Sequence, residues 1–239
     1  MEVKMIQRRL EENGFTPDSG LAGKLAVYLE MLQEWNCRMD LTAVADDAEI
    51  LDRHFLDSLC PLKTGLVPEE GSLIDVGTGA GFPGLVLAMA CPGLRVTLLD
   101  AQQKRLNFLE AVCAAAGIKN AETVHLRAED GARKPEMRER FDIAAARAVA
   151  PANILCEYLL PYVRIGGYAL CWKGPALKEE TESGRRAAFL LGGQMEEPIA
   201  YGIAGRDWEH LLLPVRKDRP TPKAYPRKAG IPKQKPLGV

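Results

Sequence analysis

Residues 73–84 read LIDVGTGAGFPG: an apolar run contains an aspartate, and four glycines follow within eight positions. Glycine suits sharp turns and close approach of the backbone to something else. The run SLIDV before the glycines has the length and composition of a buried strand. The run PGLVLAMA opens a helix with Pro83, at an early position where a missing N–H costs nothing. A strand, a glycine turn and a helix gather backbone N–H groups at one place, which is the arrangement of a ligand site. Two phosphate-binding versions of that turn fail on particular residues. A P-loop needs Lys and then Ser or Thr after its glycine, and Gly84 is followed by Leu85. A dinucleotide turn needs a third glycine at position 82 for close helix–strand packing, and that position is Phe82.

Working outward, strands alternate with helices. RVTLLD reads as a second strand, and QQKRLNFLEAVCAAAG as a helix with Leu106, Leu109, Cys113 and Ala116 on one face and Gly117 as its stop. ETVHLRAED reads as a third strand and FDIAAARAVA as a fourth. A helix near NILCEYLLPYV, a turn at Gly166-Gly167, the strand YALCWK, a helix over 176–191 and strands near 195–203 and 209–216 complete the series. This alternation predicts a mostly parallel sheet covered on both faces. Before it, residues 1–65 read as helical. Leu21, Leu25, Tyr28, Leu32 and Trp35 recur at spacings of three and four, a stripe for packing on the main domain. DDAEILDRHFLDSL starts with two aspartates suited to a helix N-terminus. After the core segment 66–215, the tail 216–239 carries eight Lys or Arg, five Pro and one acidic residue, which predicts an extended segment burying little apolar surface.

The chain of 239 residues has a formal net charge of -1, so partners must be sought in local charge. Its six cysteines form no CxxC pair and no metal-ligand spacing, which reads as reduced core thiols in a cytosolic protein with no metal. The charged N-terminus lacks the apolar middle of a signal peptide, and no apolar run approaches the ~20 residues that span a membrane.

The pattern present is Asp75-x-Gly77-x-Gly79-x-Gly81. It resembles the first motif of class I methyltransferases, which bind S-adenosylmethionine, a zwitterion with a sulfonium. A close glycine backbone and a nearby carboxylate suit that ligand better than a cluster of anion donors. Asp100, 23 residues after Gly77, ends the second strand, where a carboxylate accepts from ribose hydroxyls or caps the next helix. Glu129 and Asp130 follow the third strand, beside the place of an adenine. Gly77, Asp100, Glu129 and Arg147 all fall at the carboxyl ends of strands, where ligands bind in such sheets.

The fourth strand runs into AAARAVAP, without the Asn or Asp, paired prolines and aromatic that orient an exocyclic amine. No Pro-Cys pair is present for attack on a pyrimidine carbon. Guanine N7 carries a lone pair and no proton, so its methylation needs no base and rests on positioning in dry surroundings. Arg147 is a charge in an alanine-rich strand and needs a partner: a cofactor carboxylate, guanine O6, Asp142 or Glu129. The basic tail offers attraction to phosphate, with Tyr225 placed to stack on a base.

Taken together, EWNCRMDLT, RHFLDSL, DVGTGAGFPG, LRAED, ARAVAP, WKG and YPRKAGIPKQKPL resemble the bacterial small-subunit rRNA methyltransferase G family, also known as glucose-inhibited division protein B. The resemblance implies a Rossmann-like class I methyltransferase fold. It implies transfer from S-adenosyl-L-methionine, leaving S-adenosyl-L-homocysteine, to N7 of a guanine in 16S rRNA near the decoding region. It implies cofactor contacts at Gly77, Phe82, Ala128, Glu129 and Arg147, which Asp75, Gly79 and Asp100 join from the motif reading. It also gives the tail and the N-terminal helices a part in holding RNA. The expected partner is 16S rRNA or a precursor of the small ribosomal subunit, the expected state a cytoplasmic monomer, and no residue is assigned as catalytic. Two positions depart from the family: Asp40 stands where Asn is usual and Ala101 where Ser is common. His54, Asp57 and Ser58 share a helix face and read as an ordered His–Asp pair between domains. The alternatives are a methyltransferase for a protein or small molecule, and an RNA-binding scaffold without activity.

Overall fold

The computed structural model describes residues 1–16, 20–147 and 150–239. Helices α1 (Val3–Glu12) and α2 (Leu21–Met39) are followed by α3 (Asp47–Ile50), which runs through a π-helical stretch (Leu51–Leu56) into α4 (Asp57–Leu59) and a 3-10 turn (Cys60–Lys63). The alternating part is β1 (Gly71–Val76), α5 (Gly84–Ala90), β2 (Leu94–Asp100), α6 (Gln103–Ala116), β3 (Ala121–His125), α7 (Ala128–Gly131), β4 (Phe141–Arg147), α8 (Ala152–Leu159), β5 (Val163–Lys173) and α9 (Leu177–Leu190). Then come β6 (Gly193–Met195), β7 (Ile199–Tyr201), β8 (His210–Lys217) and α10 (Ile231–Gln234).

The strands form one sheet in the order β3-β2-β1-β4-β5-β8-β6, with β7 also on β8. The first five are parallel, and β8 is antiparallel to β5, β6 and β7. Successive residues of each strand point to opposite faces, and this sorts the core into two layers. Leu73, Val96, Leu98 and Ile143 face α1, α2, α5 and α6, while Ile74, Leu99, Ala144 and Cys171 face α8 and α9. The N-terminal helices have no separate core. Ile6, Leu25, Tyr28 and Phe55 belong to the same buried cluster as β1 and β2, and Trp172 Nε1 on β5 donates to the Asp57 carbonyl at 3.0 Å. No helix among the described residues is long and apolar enough to cross a membrane.

Two expectations are corrected, and a third is left untested. The third strand stops at His125, because its partner β2 ends at Asp100, and 128–131 curl into a helical turn that carries Glu129. The fourth strand is described over Phe141–Arg147, and its expected continuation through 148–149 lies outside the described residues. The tail is folded onto the domain. Strand β8 runs past its expected start at 216, and Lys217 is fully buried, donating to the Leu160 carbonyl (2.6 Å) and paired with Glu139 (3.1 Å). Arg227 forks onto the buried carboxylate of Glu157 (2.5 and 2.9 Å), and Arg138 donates to the carbonyl of Tyr225 (2.8 Å), whose ring packs against the second core layer. Charge-assisted pairing with buried carboxylates does here what apolar burial does elsewhere.

Candidate functional site

The carboxyl edge of the sheet holds a cavity of about 500 Å³, within the ~300–1,000 Å³ common for small-molecule sites. Its floor is the glycine loop. Gly77 and Gly79 have φ of +73° and +59°, a left-handed backbone that side chains strain. The N–H groups of Gly77 and Thr78 donate to the Leu99 carbonyl (2.8 and 3.0 Å), and Gly79 N–H donates to Asp100 (3.0 Å). Donors at 77–79 are thus spent within the protein, so the loop offers a close, bare backbone rather than an anion cradle. That fits a zwitterionic sulfonium ligand better than a phosphate.

Asp75 is fully buried beneath this loop and is not among the residues lining the cavity, which corrects its reading as a ligand-facing carboxylate. One oxygen accepts from Thr78 Oγ1 (2.7 Å) and Gly84 N–H (2.8 Å), and the other, Oδ1, has no partner among the described residues. Burial outweighs those bonds and lifts its pKa to about 6. Gly84 supplies the close helix–strand contact that Phe82 denies to a dinucleotide turn: a Cβ at Gly84 would lie 2.6 Å from that of Asp75. From the other side, the Tyr28 hydroxyl of α2 donates to the Ala80 carbonyl, and its ring stacks on Phe82 at 5.4 Å.

Asp100, Ala128, Glu129, Phe82 and Arg147 line the cavity with Gly77 and Gly79. Asp100 accepts from Gln102 N–H (2.9 Å) and Gly79 N–H (3.0 Å), tying two loops together. Arg105 also faces it (3.5 Å), so of about four acceptor positions on a carboxylate at least one remains for a ribose hydroxyl. Glu129 is buried and accepts from Gly230 N–H in the tail (2.9 Å).

Arg147 pairs with neither Asp142 nor Glu129. Its Nη1 donates to Asp57 (2.9 Å) and to the Arg53 carbonyl (3.0 Å), and its Nη2 to His54 Nδ1 (3.2 Å), with its guanidinium 4.9 Å from the Phe82 ring centre. Asp57 also accepts from Tyr201 (2.6 Å) and hydrogen-bonds His210 Nδ1 (2.7 Å). The expected His54–Asp57 pair is therefore bridged by Arg147, and the imidazole on Asp57 is that of His210. Burial, and secondarily the Arg147 charge, pull His54 down to a pKa of about 4. A neutral ring accepts from Arg147 at Nδ1 and donates from Nε2 to Thr42 Oγ1 at 2.8 Å.

Sequence reasoning leaves four participants without a site role: Tyr28, Asn36, Thr42 and Lys233. Tyr28 was placed in the packing stripe, where a hydroxyl amid leucines was the only signal. Thr42 and Asn36 build the segment that receives His54: Asn36 Oδ1 accepts from Leu41 N–H (2.7 Å) and Thr42 N–H (2.9 Å). Asp40 serves that segment through its backbone, with φ +41° at the end of α2, a conformation Asp and Asn both tolerate. Lys233 reaches the cavity from the tail, and nothing local announces it.

The strand order, the antiparallel β8 and the glycine-floored cavity at the carboxyl edge are those of the class I methyltransferase fold. Among solved structures, the Pyrococcus horikoshii TYW2 in complex with MeSAdo has a TM-score of 0.54 at 14% identity, covering 68% of this chain and 62% of that one. The M. jannaschii TYW2 in complex with AdoMet gives 0.51 at 12% identity, over 66% of this chain and 74% of that one. Within that fold class, residues 22–202 match the sequence profile of the GidB family, rRNA small subunit methyltransferase G. The Ribosomal RNA small subunit methyltransferase G of Alkaliphilus metalliredigens is 44% identical over 238 residues, 99% of this chain and 100% of the relative. That of Clostridium botulinum strain Eklund 17B is 46% identical over 214 residues, 90% of each chain. The chain belongs to the rRNA small subunit methyltransferase G family, whose members are enzymes that methylate ribosomal RNA.

Proposed function

We propose that this enzyme transfers a methyl group from S-adenosylmethionine to N7 of a guanine in 16S rRNA, near the decoding region. The observation that carries this reading is the cavity itself, where a bare glycine backbone, the sheet-edge carboxylate Asp100, the Ala128–Glu129 turn and Arg147 face one volume. S-adenosylmethionine supplies an electrophilic methyl group on a sulfonium when bound. Gly77 and Gly79 give its amino-acid end room, Asp100 accepts from its ribose, and Ala128 and Glu129 flank its adenine. Phe82, stacked with His54 at 4.8 Å, closes the wall toward α2 and keeps water from the reacting face.

The acceptor needs no proton removed. His54 agrees with that chemistry: both ring nitrogens are engaged, and its pKa of about 4 makes it a poor base. Catalysis on this reading is positioning. Exposed Lys223, Lys228, Lys233 and Lys235 have no carboxylate partner among the described residues and lie on the strap that reaches the cavity at Lys233, which supports RNA contact by the tail. Small-subunit particles as substrate, a monomeric state and a cytoplasmic location belong to the same reading. Mass spectrometry of 16S rRNA from cells with and without the gene tests it: one N7-methylguanine is expected to vanish with the gene. An unchanged set of modifications contradicts the reading.

A further inference from the structure

A second cavity, of about 410 Å³, opens on the far side of Arg147, which lines both. It too sits at the carboxyl edge, with Lys173 at the end of β5 and Tyr201 and His210 at the adjoining ends of β7 and β8 among its walls. Its charges are unevenly matched. Asp57 is held by Arg147, and Lys173 by Glu180 (2.5 Å). Glu209 lines the same cavity, is exposed, and has no partner among the described residues. Three of the five guanidinium N–H groups of Arg147 are used, leaving two for a ligand among the described residues. The rings of Tyr201 and His210 line the cavity 5.4 Å apart, and Trp208 lies 5.9 Å beyond His210.

We propose that this second cavity receives the methyl-accepting guanine, flipped out of its RNA, an inference that rests on the function proposed above. N7 points past Arg147 toward the first cavity, and O6 accepts an N–H from Arg147. The Watson–Crick edge, N1–H and N2–H2, donates to the free carboxylate of Glu209. The tilted aromatic rings offer a stacking surface of the kind that holds unstacked bases. In the reaction the N7 lone pair forms the new N–CH3 bond, and the electrons of the S–CH3 bond return to sulfur. No proton moves, and the positive charge passes from the sulfonium to the purine. An unpaired carboxylate in the receiving cavity stabilises that developing cation. The same group selects the base, because adenine would turn its N1 lone pair toward Glu209.

Two variants test this without touching the first cavity. Glu209→Gln keeps the shape and removes the charge and the two-oxygen acceptor. Ala176→Phe obstructs the second cavity from an exposed position at the start of α9, where φ of −62° suits any side chain. Methyl transfer from labelled S-adenosylmethionine is measured on small subunits and on naked 16S rRNA from cells lacking the gene, beside calorimetry with the cofactor and thermal melts. Both variants are expected to lose about tenfold or more in kcat/KM for RNA, the size of one lost bidentate base contact. Cofactor Kd should stay within about twofold, with unchanged melting. Wild-type kcat/KM in either variant overturns the assignment of this cavity. Absence of N7-methylguanine from the wild-type product sinks instead the underlying function, and this proposal with it.

Discussion

The glycine loop and the C-terminal tail meet at one cavity and are held by the same kind of contact, a buried carboxylate accepting from backbone N–H. Asp75 holds Gly84, 9 residues away, and Asp100 holds Gly79, 21 away. Glu157 holds Arg227, 70 residues away, and Glu129 holds Gly230, 101 away. A clamp closed over a short stretch leaves its signature in that stretch, as spaced glycines after an apolar run. A clamp closed over 70 or 101 residues leaves a tail that reads as loose basic sequence and folds as an anchored strap.

Substitutions at the two ends of this comparison separate what binds cofactor from what fastens the wall. Gly77→Val places a β-branched side chain at φ +73° in the cavity floor. Cofactor affinity should fall more than about a thousandfold by calorimetry, roughly 4 kcal/mol, while circular dichroism stays native. Retained affinity breaks the placement of the loop.

Glu157→Ala leaves Arg227 without its buried partner. The expected loss in a urea titration is about 3 kcal/mol, the low end for a broken buried pair, because Arg227 keeps 24% of its side chain exposed. Limited proteolysis should then cut the tail first. A variant as stable and as resistant as the parent means that the strap is fastened elsewhere.

His54 sharpens the comparison by pH. Its pKa is about 4 in the fold and about 6.5 unfolded, so between those values the unfolded chain binds a proton that the native one refuses, and stability falls on acidification. Asp75 slopes the other way, because its native pKa of about 6 exceeds its unfolded 3.8, and acid through that window favours the fold. Comparing His54→Gln with the parent cancels the Asp75 contribution. The stability gap between them should move by about 2 kcal/mol in the variant's favour from pH 7 to pH 5. A gap that does not change with pH shows that the ring is not held neutral.

The smallest effect on stability is expected at the exposed lysines of the strap. Replacing Lys223, Lys228, Lys233 and Lys235 with Gln should leave stability unchanged. It should flatten the dependence of RNA affinity on salt, lowering the log–log slope by up to about 3. An unchanged slope places the RNA away from the tail.

The parts legible in sequence share one property: the signal and its structural consequence are close along the chain. Strand, glycine turn and helix over 71–90 were readable, as were the stop at Gly117 and Asp100 at the end of β2, because each is set by period, breaker or strand end. The partner of Arg147 was not, since Asp57 lies 90 residues earlier on an element joined through a π-helical stretch that no local rule announces. The end of β3 was also misplaced. Its pairing stops where β2 stops, and the alternation of Val124 and Leu126 with polar neighbours does not record that.

The most direct measurement is a crystal structure of the protein with S-adenosylhomocysteine. The account predicts the ligand over Gly77 and Gly79, its ribose at Asp100 and its adenine beside Ala128 and Glu129, with the cavity beyond Arg147 left for the acceptor. Density for the ligand in that second cavity, or none at saturating concentration, contradicts it.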